Sequence, residues 1–202
     1  MNSMFEAIAQ QLAERGLSVS DSVLKSTRLD QLRKEAISLW KEGELKAAAV
    51  GKGLAKQRIN KIRGDEVKWL DKQVATEAQL EYWTLVDGLR LHLSEFFRIH
   101  LERTELHFAV YPKGAFYSKH FDQFQTTSNR IFSIVLYLNP EWKQGDGGEL
   151  RVYHSDQHSE DFEPINGRLI VFRSDAVEHE VLMANAPRVS LTGWMRRDPL
   201  LL

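Results

Sequence analysis

The chain has 202 residues, a formal net charge of −1 and no cysteine. That length fits one domain over a single core, and the missing cysteine excludes disulfides, thiolate zinc sites, iron–sulfur clusters and a cysteine nucleophile, leaving histidine and carboxylate to hold any metal. The near-zero charge gives no general reason to expect nucleic acid as a partner, although Lys46, Lys52, Lys56, Arg58, Lys61 and Arg63 form a locally basic stretch without acids.

The opening segment Met1–Gly16 mixes Glu6, Glu14 and Arg15 with apolar residues at helical spacing and has no signal-peptide pattern. The longest apolar stretches, such as Ile134–Leu138, are too short to cross a bilayer. A soluble, cytoplasmic protein is expected, with no membrane partner; oligomeric state is not encoded in any feature of the sequence.

Helices are predicted over Phe5–Leu17, Arg28–Gly43 and Glu77–Phe97 from apolar residues three and four apart, with Ser26, Thr27 and Thr76 as caps. Between the second and third, Gly51–Asp65 has two glycines, many bases and no period, so a long excursion is expected there, followed by a possible short strand at Glu66–Leu70. From Leu106 the period becomes two. Candidate strands are Leu106–Tyr111, Phe116–Asp122, Ile131–Leu138, Glu149–Tyr153, Arg168–Phe172, Glu180–Met183 and Val189–Met195. Many short strands separated by turn residues predict an α+β fold, a sandwich or jelly-roll with the early helices packed on its outside.

Four His-x-Asp or His-x-Glu pairs occur: His100/Glu102, His120/Asp122, His154/Asp156 and His158/Glu160. Alternate residues of a strand project to one side and can meet one ion, which makes this tripeptide half of a two-histidine, one-carboxylate metal site. His100 and Glu102 fall at the end of a predicted helix, where residues two apart point about 200° around the axis. The segment His154–Asp161 reads as a solvated surface turn. Only His120/Asp122 lies in an alternating run. His179 follows an apolar strand and opens the next one; alone it reads as a surface histidine, but Arg188 stands nine residues later at the start of another strand. Arg188, Ser190, Thr192 and Trp194 project to one side of that strand, and a guanidinium there can hold a carboxylate through two parallel hydrogen bonds. Tyr137, on the same side of its strand as Val135, can add a phenol donor.

Taken in order, Ile62-Arg-Gly-Asp65 with Trp69, Tyr111-Pro112, Tyr117-x-x-His-x-Asp122, Tyr137-Leu-Asn139 with Trp142, Gly147-Gly-Glu-Leu-Arg151, His179-Glu-Val181 and Arg188-x-x-x-Thr-x-Trp194 resemble the oxygen-sensing prolyl hydroxylases of animals and their bacterial relatives, within the 2-oxoglutarate/iron(II) dioxygenases. The resemblance runs from about Ile62 to Trp194. It implies a double-stranded β-helix (jelly-roll, cupin-like) core at about 106–197, a helical layer at 1–50 and 77–97, and a finger loop at about 51–70. It implies Fe(II), 2-oxoglutarate and O2 as cofactor and co-substrates, ascorbate as reductant, and hydroxylation of a prolyl residue at C4 with succinate and CO2 as co-products.

By the same resemblance His120, Asp122 and His179 bind the metal and carry catalysis. Arg188, Thr192 and Tyr137 bind the carboxylate end of 2-oxoglutarate, and Tyr111, Leu150 and Trp194 line its pocket. Arg63, Asp65 and Arg130 contact substrate. The spacing from Tyr111 to His120 is one residue shorter than in the animal enzymes, and the segment from Asp122 to Arg130 differs throughout. The implied partner is a protein bearing the target proline, with a translation factor such as elongation factor Tu as first candidate. The competing readings are a 2-oxoglutarate oxygenase acting on a small molecule or nucleobase, and a non-catalytic, metal-binding cupin-like module.

Overall fold

The computed structural model describes residues 2–48, 62–123, 129–155 and 157–197. Helix α1 (Asn2–Arg15), strand β1 (Leu17–Ser20), helix α2 (Ser26–Lys41) and the short strand β2 (Lys46–Ala47) come first. Strand β3 (Glu66–Trp69), a 3₁₀ turn (Lys72–Val74) and helix α3 (Glu77–Phe97) lead into strands β4 (Arg103–Tyr111), β5 (Tyr117–His120), β6 (Arg130–Tyr137), β7 (Leu150–Ser155), β8 (His158–Phe162), β9 (Leu169–Arg173), β10 (Glu178–Val181) and β11 (Arg188–Arg196).

The strands form two antiparallel sheets, one in the order β1-β9-β6-β11-β4-β3-β2 and the other β5-β10-β7-β8. Side chains alternate across the large sheet. Leu106, Phe108, Val110, Phe132, Ile134, Leu136, Val189 and Leu191 face the helices, while Ala109, Tyr111, Val135, Tyr137, Ile170 and Phe172 face the small sheet. A strand covered on both sides gains nothing from polar alternation, which is why Ile131–Leu138 is nearly continuous in apolar residues. The helices supply the outer cover with stripes at three- and four-residue spacing: Phe5, Ile8, Ala9 and Leu12 from α1, Leu29, Leu32 and Ala36 from α2, and Tyr82, Val86, Leu89 and Leu93 from α3. The double-stranded β-helix with helices on one side is the architecture expected from the sequence.

Helix α3 spans the residues predicted for it, capped by the Thr76 hydroxyl, which accepts from the Gln79 amide at 3.3 Å. Helix α2 differs at its start: Lys25 stands at the N-cap without a side-chain cap bond, so neither Ser26 nor Thr27 serves there. Leu17, read as the end of the first helix, instead begins β1, which adds to the edge of the large sheet beside β9.

The segment 154–161 is not the surface turn that its polarity predicts. Strand β7 runs to Ser155 and β8 begins at His158, with the two paired antiparallel at the edge of the small sheet. Backbone pairing needs no apolar side chains, so an edge strand with solvated faces leaves little mark in the sequence. Asp156 lies outside the described residues, as do 49–61 and hence most of the basic stretch. No helix among the described residues is long and apolar enough to cross a membrane.

Candidate active site

A cavity of about 220 Å³ opens between the two sheets. At one end, β5 and β10 bring His120 and His179 face to face as directly paired residues. Strand β5 stops at His120, so Asp122 does not continue the strand as expected; it sits in the bend just beyond and still reaches the two imidazoles. Asp122 Oδ1 lies 3.5 Å from His120 Nε2, and its Oδ2 lies 3.9 Å from His179 Nε2. The three ligand atoms fall within 4.8 Å of one another, the sole such group of histidine and carboxylate ligands among the described residues.

Each imidazole is oriented locally. His120 Nδ1 donates to the Ser118 carbonyl at 2.7 Å and His179 Nδ1 to the Val177 carbonyl at 3.0 Å, which leaves both Nε2 lone pairs directed away from the backbone. Burial lowers the His179 pKa to about 4, so this ring is neutral at physiological pH and able to act as a ligand. The Asp122 pKa is lowered as well, which here favours the charged form. Burial opposes its ionisation, but the two adjacent imidazoles and the Ser133 hydroxyl, which donates to Oδ2 at 2.6 Å, hold it well below the usual carboxylate range. Ser133 is in turn linked to Ser174 at 2.8 Å.

At the far end of the cavity Arg188 enters from the first residue of β11. It is 4% exposed, and its Nε donates to the Gly148 carbonyl at 2.8 Å. No carboxylate among the described residues pairs with it. The rings of Tyr111 and Tyr137 flank the guanidinium at 4.8 and 4.9 Å. Gly148, at φ +76°, is required here, because a Cβ would stand 2.9 Å from Arg188 Cδ. The Tyr137 hydroxyl is buried without a hydrogen-bond partner, and burial raises its pKa despite Arg188. A buried cation and an orphaned phenol at one closed end fit a ligand that brings its own carboxylate, and three converging ligands at the other end fit a divalent metal. The residues present therefore suit Fe(II) and a dicarboxylate.

The remaining expected residues line the same cavity. Arg63 holds Asp65 through two hydrogen bonds, 2.6 and 2.5 Å, and its Cζ lies 4.3 Å over the Tyr117 ring. Burial would lower the Arg63 pKa; the hydrogen bonds to Asp65 raise it instead. Arg130 stacks 3.5 Å over Trp194 and donates to the Asp122 carbonyl at 3.2 Å. All of His120, Asp122, His179, Arg188, Thr192, Tyr111, Leu150, Trp194, Arg63, Asp65 and Arg130 line the one cavity. Tyr137 is not among the lining residues, although its ring flanks the guanidinium of Arg188, which is. The His100/Glu102 pair lies beyond the end of α3 rather than within it, exposed and hydrogen-bonded to itself. His154 meets Glu160 across the β7–β8 hairpin.

Ser133 and His107 also belong to the site, and the one mark they leave in the sequence is a polar residue interrupting an apolar strand.

A family model described as the 2OG-Fe(II) oxygenase superfamily matches residues 106–196. A prolyl-4-hydroxylase of Pseudomonas putida is 41% identical and superposes with a TM-score of 0.87, over 96% of this chain and all of that one. The chain belongs to the 2OG-Fe(II) oxygenase superfamily. Oxygenases of this family use Fe(II), 2-oxoglutarate and O2, in accord with the ligand set and the buried arginine. A Trichoplax adhaerens prolyl hydroxylase in complex with a hypoxia inducible factor peptide fragment is 25% identical to this oxygenase, with a TM-score of 0.87 over 97% of this chain and 90% of that chain. The prolyl 3-hydroxylase OGFOD1 of Xenopus laevis is 30% identical over 121 residues, 54% of the oxygenase but 23% of that protein, so the chain spans less than a quarter of this curated relative.

Proposed function

We propose that the whole chain acts as one oxygenase domain that hydroxylates a prolyl residue of a protein at C4. In this reading His120, Asp122 and His179 hold Fe(II), while Arg188, Thr192 and Tyr137 take the far carboxylate of 2-oxoglutarate. The observation that carries it is the buried Arg188 without a carboxylate, at the opposite end of the cavity from the His120, Asp122, His179 cluster. When bound, iron and 2-oxoglutarate supply the oxidation, in which O2 gives one oxygen atom to the substrate carbon and one to the succinate formed with release of CO2. The protein's own groups do the rest. The Ser118 and Val177 carbonyls hold the two imidazoles with Nε2 outward, Asp122 is kept ionised, and Arg188 fixes the diacid by charge and by a planar fork. Tyr111, Leu150 and Trp194 wall the cavity against water, and Arg63, Asp65 and Arg130 stand where an incoming peptide would lie.

Support for the prolyl substrate comes from the likeness to the Pseudomonas putida enzyme across the full chain. The resemblance to bacterial prolyl hydroxylases favours a translation factor such as elongation factor Tu, which would put the reaction in the cytoplasm. The test is incubation with Fe(II), 2-oxoglutarate, ascorbate and elongation factor Tu or a cell lysate, followed by mass spectrometry for a new oxygen on proline. Amino-acid analysis then separates 4-hydroxyproline from the 3-isomer, the product suggested by the likeness to a prolyl 3-hydroxylase. New oxygen on a nucleobase or free amino acid alone, with none on proline, refutes the proposal.

A further inference from the structure

We propose that His107 hydrogen-bonds the main chain of the prolyl substrate and so sets how the peptide lies in the cavity. The proposal rests on the reading of this site as a prolyl hydroxylase. His107 stands in the middle of β4, paired directly with Trp69 of β3 on one side and Thr192 of β11 on the other. Its ring lines the cavity wall with Trp194, Arg130 and Asp122. It belongs to a three-ring cluster, stacked on Trp194 at 5.2 Å and tilted against Trp69 at 4.8 Å while the two indoles lie 5.9 Å from each other, so its orientation is fixed by packing. Yet the residue is 3% exposed and its Nδ1 is enclosed without a hydrogen-bond partner.

A buried imidazole with an unpaired nitrogen costs about 1–3 kcal/mol, and a peptide group that hydrogen-bonds the ring edge lining the cavity offsets part of that cost. The chemistry of the group selects the ligand. Burial lowers the His107 pKa to about 4, so the ring is neutral and offers one donor and one acceptor. A carboxylate prefers a cation, and Arg188 already provides one at the other end of the cavity. An amide, which itself carries one donor and one acceptor, matches a neutral imidazole. Trp69 is 52% exposed beside it, so the wall here is open to a chain arriving from solvent. The main chain of a peptide, rather than the diacid, is the partner that fits.

The test compares His107→Met, which keeps the volume and loses the polar atoms, with His107→Gln, which keeps a donor and an acceptor. The probe is a degenerate peptide library with a fixed central proline, from which the best substrate of the wild-type enzyme is taken. For that peptide His107→Met is expected to raise KM about tenfold, the size of one neutral hydrogen bond, and His107→Gln to restore most of it. The dissociation constant for 2-oxoglutarate, read by calorimetry, is expected not to move. An unchanged peptide KM in His107→Met, a parallel loss of 2-oxoglutarate affinity, or a glutamine variant no better than methionine each overturns the assignment. If His107→Met does not fold, wild-type protein labelled with ¹⁵N-histidine and loaded with Zn(II) and 2-oxoglutarate decides. Adding the peptide must shift the His107 ring nitrogens, and unmoved signals sink the idea. Failure of the wild-type enzyme to hydroxylate any library member removes the prolyl reading itself, a result distinct from all of these.

Discussion

His120 and His179 are directly paired across β5 and β10 and are oriented by the same local device, an Nδ1–H donated to the carbonyl two residues earlier in each chain segment. Their ring centroids are 4.3 Å apart. Pairing fixes the distance between the two donors, and the carbonyl bonds fix how each ring is turned, so both Nε2 atoms are set toward the proposed ion site.

Removing either ring should therefore end metal binding rather than weaken it. His120→Ala and His179→Ala are expected to lower Fe(II) affinity by more than the roughly 10- to 100-fold that loss of a supporting hydrogen bond costs a metal site. Iron-dependent succinate formation should vanish with it. Metal competition assays read the first quantity and succinate analysis the second; near-normal turnover in either variant would falsify the ligand assignment.

Arg188 poses a different question, because its partner is absent from the protein. In Arg188→Ala the Michaelis constant for 2-oxoglutarate is expected to rise about 30-fold or more, since a buried charge pair truncated on one side costs about 2–5 kcal/mol. Arg188→Lys retains the charge but not the fork, and should fall between the two. Gly148→Ala should move the same constant without removing any polar group, because its Cβ would stand 2.9 Å from Arg188 Cδ. Equal 2-oxoglutarate requirements across the three variants and wild type would mean that the diacid binds elsewhere.

Much of this arrangement is legible in the sequence, and the exceptions have physical reasons. The strand that carries Tyr137 is buried on both faces and its apolar run announces it, while the strand that carries Arg188 is announced by the alternation of Arg188, Ser190 and Thr192 with Val189 and Leu191. Helix α3 carries a full apolar stripe and a threonine cap, and its limits are readable. Strand β1 is four residues long and directly follows a helix whose apolar spacing extends through Leu17, so no alternation has room to appear. Strand β8 is held by backbone bonds to β7 and presents exposed His158 and Ser159, a pattern identical to a loop. Asp122 reaches the site from a bend that a period-two rule cannot represent. The roles of His107 and Ser133 are not legible in the sequence, because a single polar residue in an apolar strand has no spacing to interpret; its meaning lies in which neighbour it meets.

Acid should destabilise the metal-free protein in a defined window. Burial lowers the pKa of both His107 and His179 to about 4, below the ordinary histidine value of 6.5. Above pH 6.5 both rings are neutral whether folded or unfolded, and stability is at its plateau. As pH falls from 6.5 to 4 the unfolded chain binds protons that the folded one refuses, so stability drops; below 4 both states are protonated and this loss saturates. Each ring accounts for up to about 3 kcal/mol. Urea titrations of the protein in EDTA should follow that course, and His107→Met should lose less stability than wild type between pH 7.5 and 4.5. Identical pH slopes for the two proteins would mean that His107 is not held neutral by burial.

Ser133 links the proposed metal ligand Asp122 to the large sheet. Its hydroxyl donates to Asp122 Oδ2 at 2.6 Å from the middle of β6, where the side chain is fully enclosed and also meets Ser174 at 2.8 Å. This bond both orients the carboxylate and helps keep it ionised, two requirements for a ligand that sits beyond the end of its own strand. Ser133→Ala removes one methyl-sized polar group, leaves every proposed ligand in place, and is expected to weaken Fe(II) binding about tenfold. Affinity for 2-oxoglutarate at saturating metal should stay near wild type, because Arg188 and Gly148 are untouched. Ser133→Thr keeps the hydroxyl and should retain more metal affinity than alanine. The opposite order, with threonine weaker than alanine, would show that the space around Ser133 matters more than its hydrogen bond, and Asp122 would then owe its position to the bend alone.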